Sequence, residues 1–158
     1  MIRPAEPQDV PRIFELVREL AVYERLEHKL VGTPARLREH LFGDRPFVES
    51  LVGEVDGAIV AYSLFFPSYS SFLMKPGYWL EDIYVQPEHR GKGLGKALLR
   101  AIVQKARDAG YGRVEWSVLD WNQPSIDFYR SIGAVHMADW NTYRLEDETL
   151  RRFADGLS

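Results

Sequence analysis

The chain has no cysteine among its 158 residues. This absence excludes disulfides, thiolate metal sites and a cysteine nucleophile, and it fits a reducing compartment. Long apolar runs are also missing, so no segment is expected to span a membrane. Residues 1–4 do not show the pattern of a signal peptide. We therefore expect a cytoplasmic protein.

A large excess of charge of either sign is missing as well. The formal net charge is -3 at pH 7, from 20 basic and 23 acidic residues. This balance argues against a general nucleic-acid binder. The 4 histidines are scattered, without the i,i+4 pairing or the cysteine partners of a metal site, so no metal is expected. A length of 158 residues fits one domain over residues 1–158.

What the chain does have is a glycine-rich, basic turn within residues 86–99. Residues 78–85 before it are aromatic and β-branched, which predicts a strand, and apolar residues from Leu94 onward recur at helical spacing. The turn therefore lies at a helix N-terminus, where unpaired amides and the helix dipole favour an anion. Gly91, Gly93 and Gly95 have no Cβ, so their amides can approach a phosphate closely.

The spacing within this turn decides between the known phosphate-binding motifs. A Walker loop needs glycine at the position of Arg90 and serine or threonine at that of Ala97. A dinucleotide-binding motif needs glycine where Lys96 stands. Both motifs are excluded, and the remaining pattern is Arg90-x-x-Gly93-x-Gly95. The alternative is an ordinary glycine-rich connection between a strand and a helix.

The rest of the chain contains strand and helix patterns without a repeat or a dividing linker. Helices are predicted over 10–24, from 34 onward, over 93–109 and over 122–131. Strands are predicted over 2–4, 47–55, 58–66, 78–85 and 113–119, with a final pair around Val135 and Tyr143. Asp56-Gly57 is a strong signal for a hairpin turn. This order predicts an α/β chain whose mixed sheet carries helices on both faces.

The Arg90-x-x-Gly93-x-Gly95 turn resembles that of the GNAT acyl-CoA N-acyltransferases, and the predicted order of elements is similar to theirs. The resemblance implies the GNAT fold, an α/β (α+β) fold with a central mixed, mostly antiparallel twisted sheet and helices on both faces. It also implies acetyl-CoA as the co-substrate, with its diphosphate on the turn and its pantetheine along the preceding strand. The cofactor-binding residues expected in this part are Val85, Arg90, Gly91, Lys92, Gly93, Leu94, Gly95 and Lys96.

A second motif, over residues 121–129, reads Trp-Asn-Gln-Pro-Ser-Ile-Asp-Phe-Tyr and resembles another cofactor-proximal motif of the family. The resemblance implies that Asn122, Ser125 and Tyr129 border the pantetheine arm. Tyr129 is the predicted general acid, because expulsion of a thiolate needs a proton donor near the sulfur. The alternative is that Phe128 and Tyr129 are core aromatics.

Two acids, Glu81 and Asp82, stand on the strand that leads into the turn. A primary amine has a pKa of about 10.4 in water and must lose a proton before it attacks. Side chains alternate along a strand, so only one of the two acids should face the site unless a bulge re-aims them. We assign Glu81 to the proton route and Asp82 to support or substrate contact.

Four segments together, residues 21–24, 79–82, 90–95 and 121–129, resemble the spermidine/spermine (diamine) N-acetyltransferases and their thialysine-acetylating relatives. The resemblance implies that Tyr23, Glu24 and Glu81 line an amine channel with Asp82, and that the protein is a homodimer. Residues 69–72, Tyr-Ser-Ser-Phe, lack the Asp and Trp expected of the polyamine enzymes. This departure favours a short, thialysine-like amine.

The expected function is transfer of the acetyl group of acetyl-CoA to a primary amine of a small molecule, by direct attack in a ternary complex. One alternative is a non-catalytic acyl-CoA-binding module. Another is acetylation of a protein, peptide or aminoglycoside amine. The presence of both Tyr129 and Glu81 favours catalysis over sensing.

Overall fold

The computed structural model describes residues 1–157. The N-terminal part contains strand β1 (Ile2–Pro4) and helices α1 (Val10–Glu24) and α2 (Pro34–Phe42). Helix α1 buries Val10, Ile13 and Leu16, whose spacing places them on one face of a helix. Helix α2 begins after Thr33, whose Oγ1 accepts a hydrogen bond from the Arg36 amide at 3.3 Å.

Two long strands form the centre of the sheet. Strand β2 (Glu49–Val55) connects to β3 (Ala58–Ser70) through Asp56 and Gly57, with φ of 50° and 78°, the positive values that a tight hairpin turn requires. Strand β3 continues past Phe66, where the sequence predicted its end, and β4 (Lys75–Val85) pairs with residues 61–70 of β3, with one irregularity in the register. Pro67 has no backbone N–H, but it interrupts no hydrogen bond between β3 and β4. Its partner Tyr78 directs its own amide away from β3, to the Arg113 carbonyl, so the two residues form a pair without mutual hydrogen bonds.

Helix α3 (Leu94–Asp108) and strand β5 (Val114–Trp116) complete this part of the chain. The strands lie in the order β1-β2-β3-β4-β5. All neighbours are antiparallel except β4 and β5, which pair in parallel. The predicted mixed, mostly antiparallel sheet is therefore confirmed. The parallel pairing is short, because it joins only residues 78–80 to residues 114–116.

Helices pack against both faces of this sheet, as predicted. On one face, α1 and α2 form a buried cluster with side chains of β2, β3 and β4: Val52, Tyr62, Leu64 and Tyr84. Gly53 follows Val52 and therefore points to the other face. A Cβ at Gly53 would lie 3.2 Å from Leu94 Cγ, so α3 covers that face. The apolar side of α3 is buried at Leu98, Leu99, Ile102 and Ala106.

The chain divides into two compact units, the first ending at Ser117 and the second beginning at Val118. The second contains helices α4 (Gln123–Ser131) and α5 (Asp147–Ala154). Gly133, at a φ of 85°, follows the end of α4 as predicted. One domain over residues 1–158 stays a prediction. Within residues 1–157, no helix has both the length and the apolar composition that membrane crossing requires.

The prediction of two final strands around Val135 and Tyr143 was wrong. Both side chains are largely exposed, at 80% and 93%, and the described backbone from Ile132 to Glu146 pairs with no strand. The Ala134 amide instead bonds to the Tyr129 carbonyl at 3.1 Å, which is a local bond at the end of α4. Apolar residues alone do not make a strand when no neighbouring edge pairs with their backbone groups.

Candidate active site

The glycine-rich turn connects β4 to α3 in the way the sequence predicted. Helix α3 begins at Leu94, and Gly93 before it has a φ of 84°, a left-handed conformation that favours glycine. No side chain caps this helix, and the Ala97 amide makes the first backbone bond, to the Gly93 carbonyl at 2.9 Å. The amides of residues 94–96 therefore precede the helical ladder and favour an anion.

Open space lies beside these glycines. A Cβ on Gly91, at a φ of 72°, or on Gly93 would meet no atom within 4 Å. A Cβ on Gly95 would meet Val85 Cγ2 at 3.6 Å, an ordinary contact. An uncapped helix start beside free space fits a diphosphate, so the turn can hold the diphosphate of coenzyme A.

The basic side chains of the turn make contacts within the protein. Lys92 Nζ donates to the Glu88 carbonyl at 3.0 Å. Arg90 Nε donates to the Val85 carbonyl at 2.8 Å. The Arg90 guanidinium carbon also lies 4.8 Å from the centroid of the Tyr23 ring and 5.4 Å from that of Tyr84. Arg90 therefore connects the turn to the C-terminal end of α1.

Within residues 1–157, the edge of β4 beside the turn has no strand partner on one side. The pairing of β4 with β5 ends at Leu80, and the Gln86 amide donates to the Val60 carbonyl of β3 at 3.0 Å. Pairing in an antiparallel ladder alternates, so the amide and carbonyl of Val85 point away from β3. Val85 can therefore offer its amide to an extended ligand, while its carbonyl already accepts from Arg90.

The β4 strand has a bulge where the two candidate acids stand. Leu64 pairs with Asp82 and Phe65 pairs with Leu80, so Glu81 is an extra residue without an opposite partner. Glu81 is exposed, and its Oε2 accepts a hydrogen bond from Trp79 Nε1 at 3.1 Å. This is the irregularity that the sequence required for both acids to face one site.

Asp82 lies deeper than Glu81 and is held by a tyrosine. The Tyr62 hydroxyl donates to Asp82 Oδ2 at 3.1 Å, and Tyr62 itself is fully buried. Burial raises the pKa of Asp82 to about 6, the Tyr62 hydrogen bond opposes that rise, and the charges of Glu81 and Glu24 add to it. Asp82 is therefore mostly ionised at neutral pH and protonated in mild acid.

Glu24 brings a third carboxylate from the last residue of α1. Burial, and after it the charge of Glu81, raises the pKa of Glu24. The Tyr62 hydroxyl has a pKa well above its usual value, first because it is buried and then because of the Asp82 charge. Glu24, Glu81 and Asp82 thus form one carboxylate cluster, which favours a cationic ligand.

Sequence reasoning missed the residues that support this cluster. Tyr62 and Trp79 bind the two acids, and Glu19 accepts hydrogen bonds from the Tyr84 hydroxyl at 3.2 Å and from Gln86 Nε2 at 2.9 Å. Tyr62 lies in an apolar stretch of strand, and only its hydroxyl among core residues distinguishes it. No motif spacing connects Glu19 to residues 84–86, because the chain between them forms α2 and three strands.

The residues of the second predicted motif belong to the unit that begins at Val118. Asn122 is buried, and its Oδ1 accepts from the Ser125 amide at 3.4 Å, which caps helix α4. Tyr129 lies on α4, with its ring centroid 5.4 Å from that of Phe128. The cofactor contacts of Asn122, Ser125 and Tyr129, and the acid role of Tyr129, stay predictions.

Residues 12–134 match the sequence model of the Acetyltransferase (GNAT) family, which is more than half of the chain. The chain belongs to the GNAT family. It is therefore an acetyltransferase, and the resemblance seen in its motifs is confirmed.

Curated proteins similar to this GNAT chain match it over nearly its full length. The thialysine N-epsilon-acetyltransferase of Bos taurus is 37% identical, over 98% of this chain and 96% of its own. The L-ornithine N5-acetyltransferase of Arabidopsis thaliana is 34% identical, over 95% of this chain and 86% of its own.

Solved structures support the GNAT fold. An integron cassette protein from the mobile metagenome of V. cholerae superposes with a TM-score of 0.82, over 98% of this chain and 96% of its own, at 20% identity. An aminoglycoside acetyltransferase from an uncultured soil metagenomic sample gives a TM-score of 0.76 at 20% identity, over 92% of this chain and 96% of its own. At such identities the likeness concerns the fold alone.

Proposed function

We propose that this GNAT chain transfers the acetyl group of acetyl-CoA to a primary amine of a small molecule, either a thialysine-like amino acid or a di- or polyamine. The observation that carries the proposal is the carboxylate cluster in which Glu24, at the end of α1, joins Glu81 and Asp82 of the strand that leads into the glycine-rich turn. A cationic amine is attracted to such a cluster. The names of the thialysine- and ornithine-acetylating relatives support the same class of acceptor.

On the donor side, acetyl-CoA supplies an acetyl thioester, and the chain provides the groups that orient it. The amides of residues 94–96, at the start of an uncapped helix, bind the diphosphate together with the glycine amides of the turn, which lie beside open space. The Val85 amide pairs with the pantetheine arm. Asn122 and Ser125 border the same arm, as the family resemblance implies.

On the acceptor side, the three acids have different roles. Asp82 and Glu24 hold the ammonium group, since Asp82 is mostly ionised above a pKa of about 6. The exposed Glu81 takes the amine proton and passes it to water. The amine nitrogen then forms a bond to the acetyl carbon while the carbon–sulfur bond breaks, and Tyr129 gives a proton to the departing sulfur. The nitrogen loses its extra proton to water as it becomes an amide, and Tyr129 recovers a proton from water.

We further propose that residues 1–158 make one GNAT domain, because the family match over residues 12–134 crosses from the first unit into the second. A homodimer is supported by the resemblance to the diamine and thialysine enzymes. Location in the cytoplasm is favoured by a sequence without cysteine. Sedimentation of the purified chain measures the oligomeric state directly.

The test is an acetylation screen that measures release of free coenzyme A with thialysine, lysine, ornithine, spermidine, spermine, aminoglycosides and N-terminal peptides. We expect turnover with a short diamine or a thialysine-like amino acid. Tyr129→Phe should lower kcat by about 100-fold and retain coenzyme A binding. The control Tyr143→Phe changes a ring that is 93% exposed and should leave kcat unchanged. Coenzyme A binding by wild type without turnover on any amine would favour the sensor alternative.

A further inference from the structure

We propose that Arg90 is a positioning residue that holds Tyr23 in place and thereby couples the amine site to the cofactor turn. The inference rests on the proposed function, in which Tyr23 contacts the acceptor. Arg90 belongs to the glycine-rich motif, which predicts a phosphate contact. Its position in the structure gives it a second role, toward the acceptor.

Three contacts fix the Arg90 side chain. Its Nε donates to the Val85 carbonyl at 2.8 Å, at the end of β4. Its guanidinium carbon lies 4.8 Å from the centroid of Tyr23 and 5.4 Å from that of Tyr84. Both ring distances are within the range in which a cation is attracted to an aromatic face. The guanidinium therefore bridges an aromatic side chain of α1 and one of β4.

The two rings differ in how firmly they are held. Tyr84 is buried, and its hydroxyl donates to Glu19 Oε2 at 3.2 Å. Gln86, at the start of the turn, donates to the same carboxylate at 2.9 and 3.1 Å. Tyr84 is thus a fixed support. Tyr23 lies in the last turn of α1, before Arg25 at a φ of 59°, where a helix is least constrained.

Arginine is suited to this bridge in a way that lysine is not. A planar guanidinium can donate an in-plane N–H to a carbonyl while its face lies against a ring. A lysine ammonium is a point charge without a plane to stack. Loss of the bridge should therefore loosen the end of α1, which carries both Tyr23 and Glu24, and weaken binding of the amine.

The experiment compares Arg90→Lys, Arg90→Met, Tyr23→Leu and the double variant Arg90→Met/Tyr23→Leu. Each is assayed with acetyl-CoA and with S-acetyl-pantetheine, a donor that has no diphosphate. We expect each single substitution to raise the amine KM about fivefold with both donors. The double variant should be no worse than Tyr23→Leu alone, because in the proposal Arg90 acts on amine binding only through its contact with Tyr23. Arg100→Met, an exposed residue of α3, controls for the lost charge.

A phosphate contact as the sole role of Arg90 gives a different pattern. In that case the Arg90 substitutions raise the KM for acetyl-CoA and have no effect with S-acetyl-pantetheine. In the double variant, the fold-changes in KM from Arg90→Met and Tyr23→Leu then multiply. That result would overturn the proposal.

Hydrogen exchange gives a readout that does not need turnover. The Arg25 and Leu26 amides bond to the carbonyls of Val22 and Ala21 at 3.1 and 2.8 Å. Arg90→Met should increase exchange at these amides about fivefold and leave α2 unchanged. Unchanged exchange at the end of α1 would overturn the proposal. A wild-type chain that acetylates no amine would contradict the proposed function, while the exchange result still decides the role of Arg90.

Discussion

Tyr62 donates its hydroxyl hydrogen to Asp82 Oδ2 at 3.1 Å, between neighbouring strands at the centre of the sheet. The tyrosine is fully buried, so its hydrogen bond holds the Asp82 carboxylate from the core side. The hydrogen bond lowers the pKa of Asp82, in opposition to burial and to the charges of Glu81 and Glu24, which raise it. Tyr62 thereby keeps Asp82 ionised down to a lower pH than burial alone would allow.

Substitution Tyr62→Phe should change the pH dependence of the reaction. Without the hydroxyl, the pKa of Asp82 rises above about 6, and the acidic limb of the kcat/KM profile moves up by about one pH unit. The measurement is kcat/KM from about pH 5 to about pH 9, a range that includes the Asp82 pKa of about 6. Tyr78→Phe is the matched control, because Tyr78 is buried and donates to Glu49 at 3.1 Å. Identical profiles for both variants would contradict the role of Tyr62.

Substitution Glu81→Gln should remove the proton route without affecting the donor. We expect kcat/KM for the amine to fall by about 100-fold, with coenzyme A affinity unchanged, because the proposed role of Glu81 is to take the proton of the amine. Steady-state kinetics and calorimetry with coenzyme A measure the two quantities. Glu39→Gln on α2 removes the same charge from an exposed site and should have no effect. A loss of less than about twofold in kcat/KM, which is comparable to assay error, would rule out Glu81 as the proton acceptor.

Substitution Gly93→Ala should weaken the binding of acetyl-CoA. The left-handed φ of 84° costs an alanine about 1 kcal/mol of stability, and the added methyl group enters the space assigned to the diphosphate. Gly57→Ala is the matched control, since Gly57 has a φ of 78° and the same open surroundings in a distant hairpin. Both variants should lose similar stability, while the KM for acetyl-CoA rises only for Gly93→Ala. Equal KM values would show that the turn does not hold the donor.

Two aspartates should affect stability with opposite dependence on pH. The hydrogen bonds from Arg3 lower the pKa of Asp9 below 3.8, so its stabilisation is present at neutral pH and is lost as pH falls below 3.8 and through the lowered pKa. Burial raises the pKa of Asp82 from 3.8 to about 6, so its ionisation reduces stability as pH rises across that interval.

Urea unfolding at about pH 2.5 and about pH 7.5, each roughly one unit or more outside this interval, measures both effects. At the higher pH, Asp9→Asn should cost about 2 kcal/mol, because it breaks a pair with contacts of 2.6 and 3.2 Å. Asp82→Asn should gain on the order of 1 kcal/mol there. Both differences should shrink at the lower pH. A gain from Asp9→Asn at neutral pH would contradict the assignment.

The fold was predictable as far as local patterns determined it. Several local patterns specify their own backbone. These are the helical spacing of Val10, Ile13 and Leu16, the Asp56-Gly57 turn and the glycines of the glycine-rich turn. The pairing partner of each strand was harder to predict, because a strand forms only beside another strand edge and the local sequence does not encode that edge. This is why β3 and β4 are longer than predicted, and why the final strand pair around Val135 was wrong.

The candidate site shows the same division. Glu81 and Asp82 were visible as acids on the strand before the turn, and the need for a bulge followed from strand alternation. The bulge itself, and the bond from Tyr62 to Asp82, depend on the register between β3 and β4. Arg90 was visible as part of a motif, but its ring contacts join residues far apart in the chain.

Helix α3 follows a glycine, Gly93, and has no side chain that caps its first amides. An anion that binds there binds the folded chain and not the unfolded one, so it shifts the unfolding equilibrium by mass action. The free energy of unfolding then increases with the logarithm of donor concentration, once that concentration exceeds the dissociation constant. On the proposed function that anion belongs to acetyl-CoA, so the supply of activated acetyl groups would raise the stability of the enzyme as well as its rate.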